Sequence, residues 1–180
     1  MYPRLGQLNN LYQSAVAFVD VVVEKPWRNL QEYIKARLEE AAVELQLALI
    51  LMGEGYTRNA AGKLFQAFKS YLAAAAGEKR EELAARLRDV DKLIAYMPTR
   101  ALVKISTLLG LEREARVALA LRQYQYNGPD PEGITSLYPD RESAKRDFCW
   151  LAKRLIELTG SEKDLYTKAC GAPEVDSKSD

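Results

Sequence analysis

The chain is 180 residues long, 48% hydrophobic and 28% charged, which suits one globular domain and excludes a disordered one. Its 26 basic and 25 acidic residues leave a net charge of +1, so overall basicity gives no argument for nucleic acid or membrane and only local patches can speak. There is no histidine, which removes histidine general bases, Ser-His and Cys-His nucleophile pairs and histidine-ligated metals.

The two cysteines, Cys149 and Cys170, are too few for a zinc site or a disulfide framework. Cys149 lies in the apolar run Phe148, Cys149, Trp150, Leu151 and reads as a small core residue. Pairing with Cys170 is the alternative, suited to a hyperthermophile's interior. The apolar stretch 15–23 is too short to span a bilayer and is broken by Asp20, and no cleavage site follows it. The expectation is a cytoplasmic protein with no membrane association.

In chain order, Leu8, Leu11, Tyr12, Ala15, Phe18, Val19, Val22 and Val23 follow helical spacing, and Pro26 ends that helix. Asn29 with Glu32 forms a capping-box pattern that starts a long helix. Its stripe runs Tyr33, Ile34, Arg37, Leu38, Ala41, Leu45, Leu49 and Met52 until Gly53 and Gly55 stop it. Thr57 is placed to cap the next helix, which ends at Gly77. So short a turn between two helices makes them antiparallel.

A third helix is expected from Glu78 to Tyr96, with its alternating charges on a solvated face. Pro98 breaks it. Shorter helices follow through Leu102 to Leu109 and from Leu111 to Tyr126. Residues 126–133 (Tyr126, Asn127, Gly128, Pro129, Asp130, Pro131, Glu132, Gly133) form the densest cluster of turn residues and read as a fixed loop. Asp140 caps a helix that runs to Gly160, and Ser161 starts a last short one to Cys170. The fold class is all-α: an antiparallel bundle of four to five core helices with additional short ones. The expected division is an N-terminal helical extension over 1–24, a bundle domain over 25–172 and a disordered tail over 173–180.

Two constellations carry the functional reading. The helix from Arg58 to Ser70 holds no acidic residue, and Asn59, Lys63, Gln66 and Ser70 recur at i, i+4, i+7 and i+11. They form one polar stripe on an otherwise apolar helix, with Arg58 and Lys69 at its ends. A helix this apolar is central, so its stripe lies either in an anion- or nucleotide-binding groove or in a tight helix contact with snorkelling amines. The second constellation is Arg122, Tyr124, Tyr126 and Asn127, entering the loop that carries Asp130, with Tyr138 across it. Arginine offers a bidentate fork for phosphate and tyrosine a face on which a base can stack. Tyrosines that merely pin the loop to the bundle are the structural alternative.

Enzyme patterns fail. Gly62 and Lys63 lack the upstream glycine and the Ser/Thr of a P-loop, and no nucleophile-elbow serine is present. Glu39, Glu40 and Glu44 lack the Glu-x-x-His partner of a carboxylate metal bundle. A helix-turn-helix outline over 101–126 carries Glu112 and Glu114 where phosphate would approach, which argues against DNA. No cofactor, metal or catalytic residue is expected.

With these segments laid out, the chain resembles the archaeal PaREP family, placed in the HEPN superfamily of helical bundles. The matching stretches are Pro26 and Trp27 through Tyr33, the Arg58-to-Lys69 block, and the Tyr126-Asn127-Gly128-Pro129-Asp130 loop with Ser136-Leu137-Tyr138-Pro139. They frame residues 25–159. The resemblance implies a HEPN-like bundle, usually a homodimer, that serves as a toxin ribonuclease, a partner of a nucleotidyltransferase, or a noncatalytic nucleotide- or RNA-binding module. Ribonuclease members use an arginine and a histidine with four to six residues between them. If Arg122 takes the first place, Asn127 or its successors take the second, and none is a general base. The expected function is therefore a noncatalytic module binding nucleotide, RNA or a protein partner. An unconventional ribonuclease of a toxin–antitoxin pair and a purely structural interaction bundle are the alternatives. The resemblance and the two constellations together point to Arg58, Asn59, Lys63, Gln66, Lys69, Arg122, Tyr124, Tyr126, Asn127 and Asp130 as ligand-binding residues.

Overall fold

The computed structural model describes residues 23–160 and 164–171, and every regular element among them is a helix. In chain order these are α1 (Leu30–Gly53), α2 (Thr57–Glu78), α3 (Arg80–Ala84), α4 (Val90–Tyr96), α5 (Thr99–Leu108), α6 (Glu112–Asn127), α7 (Arg141–Thr159) and α8 (Asp164–Cys170). The expected all-α bundle is what the chain forms. The helix expected before Pro26, the Ser161 start and the tail over 173–180 lie outside the described residues. Among those that are described, no helix is long and apolar enough to cross a membrane.

The α1–α2 pair starts where its capping residue predicts. Asn29 Oδ1 accepts from the Glu32 amide at 3.2 Å, satisfying one of the unpaired amides of the first turn. Gly55, at φ 87°, supplies the left-handed turn after α1. The two helices then run antiparallel: Glu44 meets Lys63, Glu40 meets Ser70, and Ile34 meets Gly77. Gly77 stands one residue before the end of α2, close to the stop expected there. A Cβ built there would sit 2.8 Å from Ile34 Cγ1, so its role is close approach of α1.

α2 is the central helix. It packs on α1, α6, α7 and the short α3–α5 segment, and buries Leu64, Phe65, Phe68 and Leu72 almost completely. Around it stand Leu45 and Leu49 of α1, Leu102 of α5, Leu121 of α6, and Phe148, Leu151 and Leu155 of α7. Each large side chain removed from water here contributes about 1.5–3 kcal/mol before entropy is set against it.

The single helix expected over 78–96 is instead two short ones. Arg80 Nε and Nη2 donate to Asp91 Oδ1 and Oδ2 at 2.7 and 2.9 Å. In one continuous helix those residues would be roughly 16 Å apart along the axis, so this clamp requires the fold-back between α3 and α4. Asp89 and Met97 take left-handed backbone, φ 52° and 37°, at the two ends of α4. Local charge alternation suggested a solvated helix face, and the bidentate ion pair with its tight turn prevailed.

The cysteines are joined. Cys149 of α7 and Cys170 at the end of α8 form a disulfide, so Cys149 is not the free core residue expected. The bond ties α8 to α7, and α8 also packs on α1.

Candidate ligand groove along α2

The polar stripe of α2 faces an open groove with a volume of about 520 Å³, within the range of ligand sites. Arg58, Asn59, Gly62, Lys63 and Gln66 of α2 form its floor, Leu51 of α1 one flank, and Gln125 and Tyr126 of α6 the other. Gly62 makes this geometry available. A Cβ there would collide with the Gln125 carboxamide, which lies flat against the helix at that point. Tyr126 keeps 64% of its surface exposed, so its ring is free to take a base.

The groove's two cations are partly engaged. Arg58 Nε donates to the Gln125 carbonyl at 3.0 Å and Nη2 to the Tyr126 carbonyl at 2.5 Å. Those carbonyls belong to the last turn of α6, where backbone acceptors have no helical partner and the dipole favours a cation. Arg58 therefore ties α2 to the end of α6 as well as bordering the groove. Lys63 Nζ stands 3.0 Å from Glu44 Oε2 and 3.2 Å from Oε1. Its hydrogen bond goes to Oε1, and the buried Oε2 is left with charge contact alone. One carboxylate against two cations leaves the groove net positive.

The loop after α6 is built around Asp130. Its Oδ1 accepts from the amides of Glu132 and Gly133, both at 3.1 Å. Its Oδ2 accepts from the amides of Thr135 and Ser136 and from the Thr135 hydroxyl. The Thr135 donors lead the set that holds this carboxyl well below the usual carboxylate range. Asn127 Nδ2 donates to the Thr135 carbonyl at 2.6 Å and closes the same loop. Neither Asn127 nor Asp130 lines the groove.

The tyrosines divide. Tyr124, 1% exposed, shares a hydrogen bond of 3.2 Å between its hydroxyl and Thr57 Oγ1 and meets the Tyr138 ring edge-to-face at 5.8 Å. It does not face the groove as a stacking ligand would. Thr57, expected to cap α2, spends its hydroxyl on this contact instead. Tyr138 is also buried and donates to Asp147 Oδ2 at 2.8 Å, so it cannot join a binding surface either. Burial and that carboxylate push its phenol above the ordinary tyrosine value.

Arg122 of α6 and Lys69 of α2 lie outside the groove. Arg122 places its guanidinium 4.8 Å from the centre of the Phe65 ring and donates to Thr99 Oγ1 at 2.8 Å. Lys69 lines a second cavity, which shares Gln66 with the groove. The four cations thus do not share one pocket: Arg58 and Lys63 line the groove, Lys69 lines the second cavity, and Arg122 of α6 lies over Phe65. Sequence reasoning missed Gln125 and Leu51 as groove walls, and Arg37 and Glu40 as walls of the second cavity. The sign for Arg37 was legible: it is a charged residue inside the buried stripe of α1.

The helix-turn-helix outline is occupied by packing. Glu114, 6% exposed, accepts from Arg154 Nε of α7 at 2.9 Å, and Ala115, Ala118 and Leu121 are buried in the core. Among the described residues, no group of three or more His, Cys, Asp or Glu side chains is placed to hold a metal ion.

The model of the archaeal PaREP1/PaREP8 family matches residues 36–149, a stretch that contains the whole groove and the Asp130 loop. No curated protein and no solved structure matches the chain.

Proposed function

The chain belongs to the archaeal PaREP1/PaREP8 family, and from that premise we propose that it is a noncatalytic, HEPN-like module that binds a nucleotide, free or at the exposed end of an RNA strand. The base stacks on Tyr126, and the polar edges of Asn59, Gln66 and Gln125 supply donors and acceptors for it. Lys63 sets its charge against the phosphate side. The observation that carries this reading is the coincidence of the acid-free α2 stripe with a groove closed on one flank by an exposed tyrosine.

The ribonuclease reading has less support. The chain has no histidine, and Arg122 is held against Phe65 and Thr99. The direct experiment is calorimetric titration of the full chain with the four 5′-ribonucleoside monophosphates and with a short single-stranded RNA. Saturable binding that weakens in Tyr126→Ala supports the groove. Absence of binding by every one of these ligands overturns it, and binding by the RNA alone assigns the ligand to the strand end.

A further inference from the structure

The cavity beyond Gln66 is smaller than the groove and has a different lining. It has a volume of about 250 Å³ and is lined by Tyr33, Arg37 and Glu40 of α1, Lys69 and Ser70 of α2, and Tyr96 of α4, among others. Its charges do not cancel. Glu40 is the one carboxylate among the lining residues, and it is already engaged: its Oε2 accepts from Arg37 Nη1 at 2.5 Å and from Ser70 Oγ at 2.9 Å.

Lys69 has no such partner. Among the described residues it makes no ion pair and no hydrogen bond, and it stands within electrostatic reach of both Arg122 and Arg37. Partial burial first, then Arg122 and Arg37, hold its ammonium below the ordinary lysine value, with Glu40 opposing. Arg37 adds a second unmet demand, because its Nε is buried without a hydrogen-bond acceptor. Buried donors are normally satisfied, and one left open beside an unpaired ammonium marks a place where an acceptor belongs.

We propose that this cavity is a phosphate subsite, in which Lys69 and Arg37 receive the terminal phosphate monoester of the ligand whose base lies in the adjoining groove. A monoester carries about −1.5 to −2 at neutral pH, and the lining is net positive, with Arg37 and Lys69 against Glu40 and Arg122 within electrostatic reach of Lys69. Its three oxygens accept strongly, which a carboxylate's two lone-pair edges do less completely. Lys63 and Lys69 are separated by roughly 9 Å along the helix axis, so one ligand can reach from the groove past Gln66 into the cavity. The link to a base in the groove rests on the function proposed above, whereas the anion site itself does not.

The test uses inorganic phosphate as the probe, titrated into the full chain and followed by 31P line broadening and calorimetry. Saturable binding is expected, at least ten-fold weaker in Lys69→Gln and retained in Lys69→Arg. Arg116→Gln, which removes an exposed cation outside both cavities, should leave it unchanged and so excludes a net-charge effect. No phosphate binding in the folded wild-type chain, or equal binding in Lys69→Gln, overturns the subsite. The two readings fail separately. A nucleoside monophosphate that binds with unaltered affinity in Lys69→Gln removes the subsite and leaves the groove. Phosphate bound through Lys69 with no nucleotide binding removes the groove and leaves the anion site.

Discussion

Arg58 Nε donates to the Gln125 carbonyl at 3.0 Å, so a side chain from the first turn of α2 closes the last turn of α6. A second bond from Nη2 to Tyr126 makes the guanidinium a fork across two adjacent carbonyls. Arg58→Ala should therefore lower unfolding free energy by about 1–2 kcal/mol, read as a shifted urea midpoint at constant m-value. Arg58→Lys should recover only part of this, because one ammonium does not reproduce the planar fork.

Gly62 and Gly77 should separate binding from folding. Gly62→Ala displaces the end of a flexible glutamine, while alanine adds up to about 1 kcal/mol of helix propensity. Stability should hold or rise and nucleotide affinity should fall, because the groove floor is raised. Gly77→Ala instead pushes on the branched Ile34 side chain in the α1 contact and should cost about 1–3 kcal/mol. Paired thermal unfolding and titration of the two variants read both effects.

The disulfide closes a loop with a sequence separation of 21 residues. Chain-entropy reasoning gives such a closure about 3 kcal/mol, so reduction or Cys149→Ser should lower stability by that order and release α8 from α7. Alkylation without reductant should leave the intact mass unchanged, and alkylation after reduction should add two labels. Sequence alone favoured a core residue because the local run was apolar. What decides pairing is the approach of α8 to α7, which no local pattern encodes.

The same division runs through the rest of the chain. Helix starts at Asn29 and Asp140 were legible because capping is a local hydrogen bond, here to the amides of Glu32 and Ser143. The Asn59–Lys63–Gln66 stripe was legible because it is a period. The break between α3 and α4 was not, since it depends on Arg80 reaching Asp91 across a turn. Nor was the fate of Tyr124 and Tyr138: their rings meet only after α6 and the Asp130 loop have folded together.

The loop should show two pH limits. Asp130 ionises more readily in the fold than in the unfolded chain. Its contribution is fully present above about pH 4 and is lost as pH falls toward its depressed folded value. Tyr138 is the opposite case: burial and Asp147 raise its pKa. Its contribution is fully present below about pH 10 and declines as pH rises beyond that toward the folded value. Hydrogen exchange at the Thr135 and Ser136 amides should lose its protection at the acid limit and approach the intrinsic rates. Asp130→Asn should bring that loss of protection to neutral pH.

The most direct test of the groove is a 1H–15N chemical-shift map of the full chain titrated with a 5′-ribonucleoside monophosphate. The account predicts saturable shifts clustered at Asn59, Gly62, Lys63 and Gln66 of α2 and at Gln125 and Tyr126 of α6. Saturable shifts confined to other surfaces, or no saturable shift with the mononucleotide or a short RNA, would contradict it.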